Sequence, residues 1–104
     1  MNAIYVLSQI RTALDRVYGG RLRGVVIYGS VARGEVRDDS DIDVLVLLDS
    51  VSDYGKDLRT NIDVLYPLAK QLGRRISAKP VTLREYEQQQ CPLYRNIHRE
   101  GIAA

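Results

Sequence analysis

The sequence predicts an α/β fold: a small mixed sheet of three or four strands flanked by helices. Three observations carry this. Segments with helical and strand periodicity alternate along the chain, in the order α-β-(α)-β-α-β-α-α, and such alternation implies a sheet covered by helices. Two strand candidates are short runs of β-branched and apolar residues, the kind that is buried within a sheet. The chain of 104 residues supports one hydrophobic core but not two, so residues 1–104 read as a single domain.

The elements follow in order. Ile4, Leu7, Leu14 and Val17 fall on one helical stripe, and Gly19-Gly20 supplies its stop. Val25 to Tyr28 is a strand, bounded by glycines and ended by Gly29. The polar stretch from Arg33 to Ser40, with Gly34, Glu35, Arg37, Asp38 and Asp39, reads as one helical turn and a loop. Asp41 to Leu48 gives the strongest strand signal. Tyr54, Leu58, Ile62, Leu65, Ala69 and Leu72 then recur every three or four residues. They define a helix that Pro67 must kink or interrupt. Ile76 to Val81 is a third strand after Gly73. Thr82-Leu83-Arg84-Glu85 is a capping box, with Val81 and Tyr86 placed as a hydrophobic staple. Pro92 opens a last helix and Gly101 closes it.

Composition excludes several classes. Hydrophobic residues make up 45% and charged residues 27%, which argues against disorder. Fifteen Lys and Arg against 13 Asp and Glu leave a formal charge of +2 with no basic block, so no direct nucleic-acid binding is expected. The single cysteine precludes an internal disulfide, and one cysteine with one histidine precludes an all-His/Cys structural zinc site. The longest apolar run, Val44 to Leu48, is far short of a membrane span. No basic-then-apolar leader opens the chain, so the cytoplasm is the expected compartment.

The chemistry-bearing segment is Tyr28-Gly29-Ser30-Val31-Ala32-Arg33-Gly34, followed by Ser40-Asp41-Ile42-Asp43. In a strand Asp41 and Asp43 project to one face while Ile42 and Val44 face the core. Carboxylates about 7 Å apart along a strand repel each other unless a cation lies between them. Hard oxygen donors of this kind suit Mg²⁺ or Mn²⁺. Gly29 lets the backbone approach a ligand closely. Ser30 sits where the strand turns into a short helix, whose first N–H groups favour an anion. Arg33 adds a positive charge for phosphates. Together these make a nucleoside-triphosphate site. Cys91 reads as a packed small residue, His98 as a surface one. Leu93, Tyr94 and Ile97 suggest an exposed apolar patch for a protein partner.

Gly29-Ser30, Ala32-Arg33-Gly34 and Ser40-Asp41-x-Asp43 resemble the signature of the DNA polymerase beta nucleotidyltransferase superfamily. The short chain and its ending, Asn96 to Ile102, are similar to the minimal nucleotidyltransferase (MNT) branch of that superfamily. The resemblance implies the nucleotidyltransferase fold and transfer of a nucleoside monophosphate to a hydroxyl, most simply AMP from ATP. It makes Asp41 and Asp43 the catalytic, metal-holding residues and Gly29 and Ser30 the ligands of the triphosphate tail. The branch is commonly paired with a small helical HEPN ribonuclease. The implied role is therefore the antitoxin of a HEPN/MNT pair, in a hetero-oligomer with its partner. Active members usually carry a third carboxylate on the next strand, and Ile76 to Val81 contains none. Asp63 would substitute if Asn61 to Tyr66 were a strand, but the helical stripe places it on a helix beside Lys56, Arg59 and Lys70. Lys79 is expected near the aspartate pair, competing with metal. A catalytically weak module that neutralises its partner by binding alone is the alternative.

Overall fold

In the computed structural model, which describes residues 2–35 and 40–104, a four-stranded mixed sheet carries helices on both faces. The elements are α1 (Ala3–Tyr18), a 3₁₀ turn (Gly19–Arg21), β1 (Leu22–Tyr28), β2 (Ile42–Leu48), α2 (Tyr54–Leu72), β3 (Ile76–Thr82), α3 (Leu83–Glu87), α4 (Pro92–Glu100) and β4 (Ile102–Ala103). The strand order is β3-β2-β1-β4. β1 runs antiparallel to β2 and β4, and β3 runs parallel to β2. The expected loop residues Arg37, Asp38 and Asp39 lie outside the described residues.

β2 explains why its sequence is almost uninterruptedly apolar: it is central and covered on both sides. Ile42, Val44, Val46 and Leu48 pack with Val25 and Ile27 against α1 and α2. Leu45 and Leu47 pack with Val26, Val81, Tyr86 and Ile97 on the opposite face, under α3 and α4. β3 is an outer strand, so Pro80 within it is tolerated. The capping box forms at α3: the Thr82 hydroxyl accepts from the Glu85 N–H at 3.1 Å and donates to the Glu85 carboxylate at 2.9 Å.

The helical stripes differ from expectation. In α1, Ile4 and Val17 are exposed, and Val6, Leu7, Ile10, Leu14 and Tyr18 face inward. In α2, Tyr54 is 51% and Ile62 53% exposed, whereas Asp57, Asn61 and Leu65 are buried. The inward face of α2 begins with polar residues because they close a hydrogen-bonded network. Buried Asn61 donates to the Ala78 carbonyl of β3 at 3.0 Å and accepts from the Tyr18 hydroxyl. The Tyr18 hydroxyl also lies 3.1 Å from the Asp57 carbonyl. Arg21 donates to the Asp57 carboxylate at 2.8 Å and to the Ser50 carbonyl at 2.8 Å. Burial, reinforced by the Asp57 charge and opposed by Arg21, pushes the Tyr18 phenol up to about 12. Polar groups inside a protein are tolerable when satisfied, and here they rivet α1, α2 and β3 together.

Two further differences have local causes. Pro67 does not interrupt α2. It lies on the exposed side of the helix, as does Asp63 one turn before, where a carbonyl freed by the missing N–H meets water. Strand β4 was not expected. Gly101 ends α4 at φ −76°, so its role is not a left-handed cap. A Cβ there would lie 2.6 Å from Val26 Cγ1 and 2.7 Å from the Ile97 carbonyl. Only glycine lets the chain pass this close and pair Ile102 and Ala103 with Ile27 and Val26. The expected exposed patch on α4 is divided: Leu93 is exposed, but Ile97 is buried. His98 stacks on Tyr86 with centroids 4.1 Å apart.

Asn61→Ala strands the Ala78 carbonyl in the interior and leaves the Tyr18 hydroxyl only the Asp57 carbonyl. It should cost about 2–4 kcal/mol in chemical denaturation, against about 1 kcal/mol for Tyr18→Phe.

Candidate active site

The candidate site forms where β1 leaves the sheet and β2 enters it. Antiparallel register sets Tyr28 opposite Asp43, and parallel register sets Asp43 opposite Ser77. Ile42 and Val44 are fully buried on the α1/α2 side, so Asp43 projects to the other face. Asp41 falls just before β2 rather than inside it. Its carboxylate is 3.4 Å from the guanidinium of largely exposed Arg75. The aspartates remain electrostatically coupled. Burial raises the Asp43 carboxyl above the usual carboxylate range, the Asp41 charge adds to this, and Lys79 and Arg33 pull it back.

Gly29 adopts φ +76° and turns the chain away from β1. A Cβ at this position would meet Asp43 Oδ2 at 2.5 Å. Glycine is therefore required twice over, by the left-handed backbone and by the carboxylate against it. The segment after it is a set of hydrogen-bonded turns, not the short helix expected from sequence. The N–H groups of Arg33, Gly34 and Glu35 donate to the carbonyls of Gly29, Val31 and Ser30 at 3.2, 3.2 and 2.8 Å. Val31 anchors the turn by burial in the α1/α2 core, which leaves half-buried Ser30 at its start, beside Gly29. Arg33 stands near enough to influence Asp43, but its guanidinium lies 3.4 Å from Glu35 and 3.8 Å from Glu100.

The structure thus sets Asp43 against Gly29, with the Asp41, Lys79 and Arg33 charges acting on it, while Asp41 lines a neighbouring cleft with Leu58, Ile62, Arg75 and Ile76. Asp63 is not part of the site. It is helical, exposed, and lines a separate cleft with Asp53, Lys56, Arg59 and Thr60. β3 contributes Ser77 and Lys79 instead of a carboxylate. Sequence reading missed the wall supplied by α4: Asn96, Ile97 and Glu100 face Tyr28, Gly29 and Arg33 across a cleft of about 270 Å³. No pattern in the sequence marks that contact, because it depends on how α4 folds back over the sheet.

The donor set suits a small divalent cation. Burial and the Asp41 charge hold the Asp43 carboxyl above its usual range against the pull of Lys79 and Arg33, and added positive charge there would relieve it. Among the described residues no cluster of three or more His, Cys, Asp and Glu side chains forms. Two hard oxygen ligands match Mg²⁺, which takes one or two carboxylates and completes its shell with water and phosphate oxygens.

A mixed sheet carrying acidic side chains against a Gly-Ser turn defines an α/β domain of the nucleotidyltransferase fold. The chain belongs to the nucleotidyltransferase domain family, which matches residues 7–103. It is 36% identical over 66 residues to a Methanocaldococcus jannaschii protein named "putative protein adenylyltransferase". That match spans 64% of this chain and 66% of the relative, so just under two thirds of the relative is represented. The solved structure of a "putative minimal nucleotidyltransferase" superposes with a TM-score of 0.55 at 29% identity, covering 98% of this chain and 95% of that one. A toxin–antitoxin crystal structure with AMP-PNP gives 0.58 at 22% identity, covering 91% and 69%; at that identity the likeness is one of fold.

Two outcomes follow from this geometry. Gly29→Ala should cost about 1–3 kcal/mol in urea denaturation, and the loss should shrink when Asp43→Ala removes the carboxylate it meets. Asp43 binds its proton more tightly folded than unfolded, so its charge opposes folding above its raised pKa and not below the ordinary aspartate value. Asp43→Asn should therefore melt higher than the parent at neutral pH, and the gap should close as pH falls through that window.

Proposed function

We propose that this chain is a cytoplasmic, single-domain nucleotidyltransferase that moves AMP from ATP to a hydroxyl of a partner protein. In this reading it is the antitoxin of a HEPN-type toxin, and the two form a hetero-oligomer. The observation that carries the proposal is the Asp43 carboxylate set against Gly29 at the start of the turn, with the Asp41 charge acting on it. Membership of the nucleotidyltransferase family supports it, as do the adenylyltransferase name of the relative and the toxin–antitoxin and AMP-PNP of the fold neighbour.

Asp41 and Asp43 would hold Mg²⁺ or Mn²⁺. Such an ion supplies positive charge against phosphate oxygens whose negative charge grows as the bond to pyrophosphate breaks. The protein's own part is to position and neutralise. Ser30 offers its hydroxyl, and the turn its leading N–H groups, to the triphosphate tail. Asp43, braced against Gly29, is fixed before ligand arrives, so little reorganisation is needed on binding. Arg33 reaches phosphate by exchanging its exposed partners Glu35 and Glu100. Exposed pairs of this kind contribute at most about 1 kcal/mol each, so the exchange is easy. The cleft between the turn and α4 offers room beside the phosphates for the rest of the nucleotide.

One observation favours a second reading. The strand beside β2 presents Lys79 and no carboxylate toward the site face, which fits a module that transfers slowly or neutralises its partner by binding alone. Both readings meet one experiment. The chain is incubated with its partner, Mg²⁺ and ATP labelled at the α-phosphate. Transfer predicts label and a mass increase of one AMP on the partner, both lost in Asp41→Ala and Asp43→Ala. No label, with neutralisation that survives the double substitution, selects binding alone.

A further inference from the structure

The sheet face that carries Asp43 also carries a lysine with no described partner. Parallel register aligns Asp43 with Ser77 and Leu45 with Lys79. Leu45 and Val81 pack on the α3/α4 face and Ala78 on the opposite one. Strand alternation therefore puts Ser77, Lys79 and Val81 on the same face as Asp43. Residues on a diagonal between neighbouring strands are about 7–8 Å apart at the backbone, within reach of a long side chain. The Lys79 charge is felt at the Asp43 carboxyl. Lys79 is exposed, so its ammonium is accessible to a ligand lying on the sheet.

Two cations act on Asp43, and they differ. Arg33 is already engaged by Glu35 and Glu100. Lys79 forms no ion pair with any carboxylate among the described residues. A lysine ammonium is a compact point charge on a flexible stem, suited to phosphate oxygens that bridge to a cation on the other side. We propose that Lys79 is a nucleotide-binding residue, whose ammonium faces the phosphates of a nucleoside triphosphate seated at Asp41 and Asp43. This rests on the nucleotide site described under the proposed function. It gives β3 a role there: one fixed positive charge, supplied by the protein from the strand that brings no metal ligand. It also opposes the expectation that Lys79 competes with metal, and the two ideas predict opposite signs.

Calorimetric titration of the chain with AMP-PNP in Mg²⁺ separates them. Lys79→Met, which keeps the stem and removes the charge, should raise the dissociation constant about tenfold, the size of one lost charge-assisted contact. Lys79→Arg should restore binding to within about twofold to threefold of the parent, since it returns the charge. Both variants should melt near the parent, because Lys79 is exposed. Lys79→Met binding within twofold of the parent overturns the proposal. So does tighter binding by Lys79→Met, which would make Lys79 a competitor of the metal, and so does equal weakening by Met and Arg, which would make it structural. A parent chain that binds no AMP-PNP at millimolar concentration overturns the nucleotide site itself, and Lys79 with it.

Discussion

The candidate site depends on one close approach: the carboxylate of Asp43 against the bare α-carbon of Gly29. Strand pairing sets Tyr28 opposite Asp43, and the absence of a side chain at the next residue, Gly29, lets the acid occupy the space a Cβ would take. The same glycine, in a left-handed conformation, redirects the chain into the hydrogen-bonded turn that begins at Ser30. The turn and the Asp43 carboxylate are thereby fixed relative to each other by backbone, with no long side chain between them. Rigid placement is what transfer chemistry needs, because most of the rate in such reactions comes from positioning and neutralisation.

Behind that approach stands a second, wholly interior device. Asn61 joins α2 to β3 and to α1 through Tyr18, while Asp57 and Arg21 secure the opposite end of the network. It ties β3 to the helical layer, and β3 is the strand that brings Ser77 and Lys79 to the site face. A slip of one residue would send both to the other side of the sheet. The buried amide thus acts on the site from a distance, by holding register.

Much of this was legible in the sequence, for physical reasons that can be named. The apolar run of β2 and the glycine-bounded run of β1 have no other home than a sheet interior. The Gly29-Ser30 and Asp41-x-Asp43 spacing fixes which sheet end carries the acids. The capping box at Thr82 and Glu85 formed as its local chemistry dictates. What misled was hydrophobicity taken as the sole sign of the inward face. In α2 the core side is marked by Asp57 and Asn61, while Ile62 and Tyr66 point to solvent. Burial of satisfied polar groups leaves no periodic apolar signal. Strand β4 was hidden for a different reason: two residues carry too little pattern, and the constraint that creates the strand is the tight space around Gly101.

The outer edge of the sheet has a consequence for how the molecule behaves in a crowded solution. An exposed edge strand is an invitation to neighbours, since its unmatched amides can extend a ladder into another chain and seed fibrils. On β3 that invitation is withdrawn at two successive alternate positions: Asn61 already occupies the Ala78 carbonyl, and Pro80 has no hydrogen to give. Intermolecular strand addition there would begin with gaps, which leaves encounters with other proteins to the helices and the open sheet end.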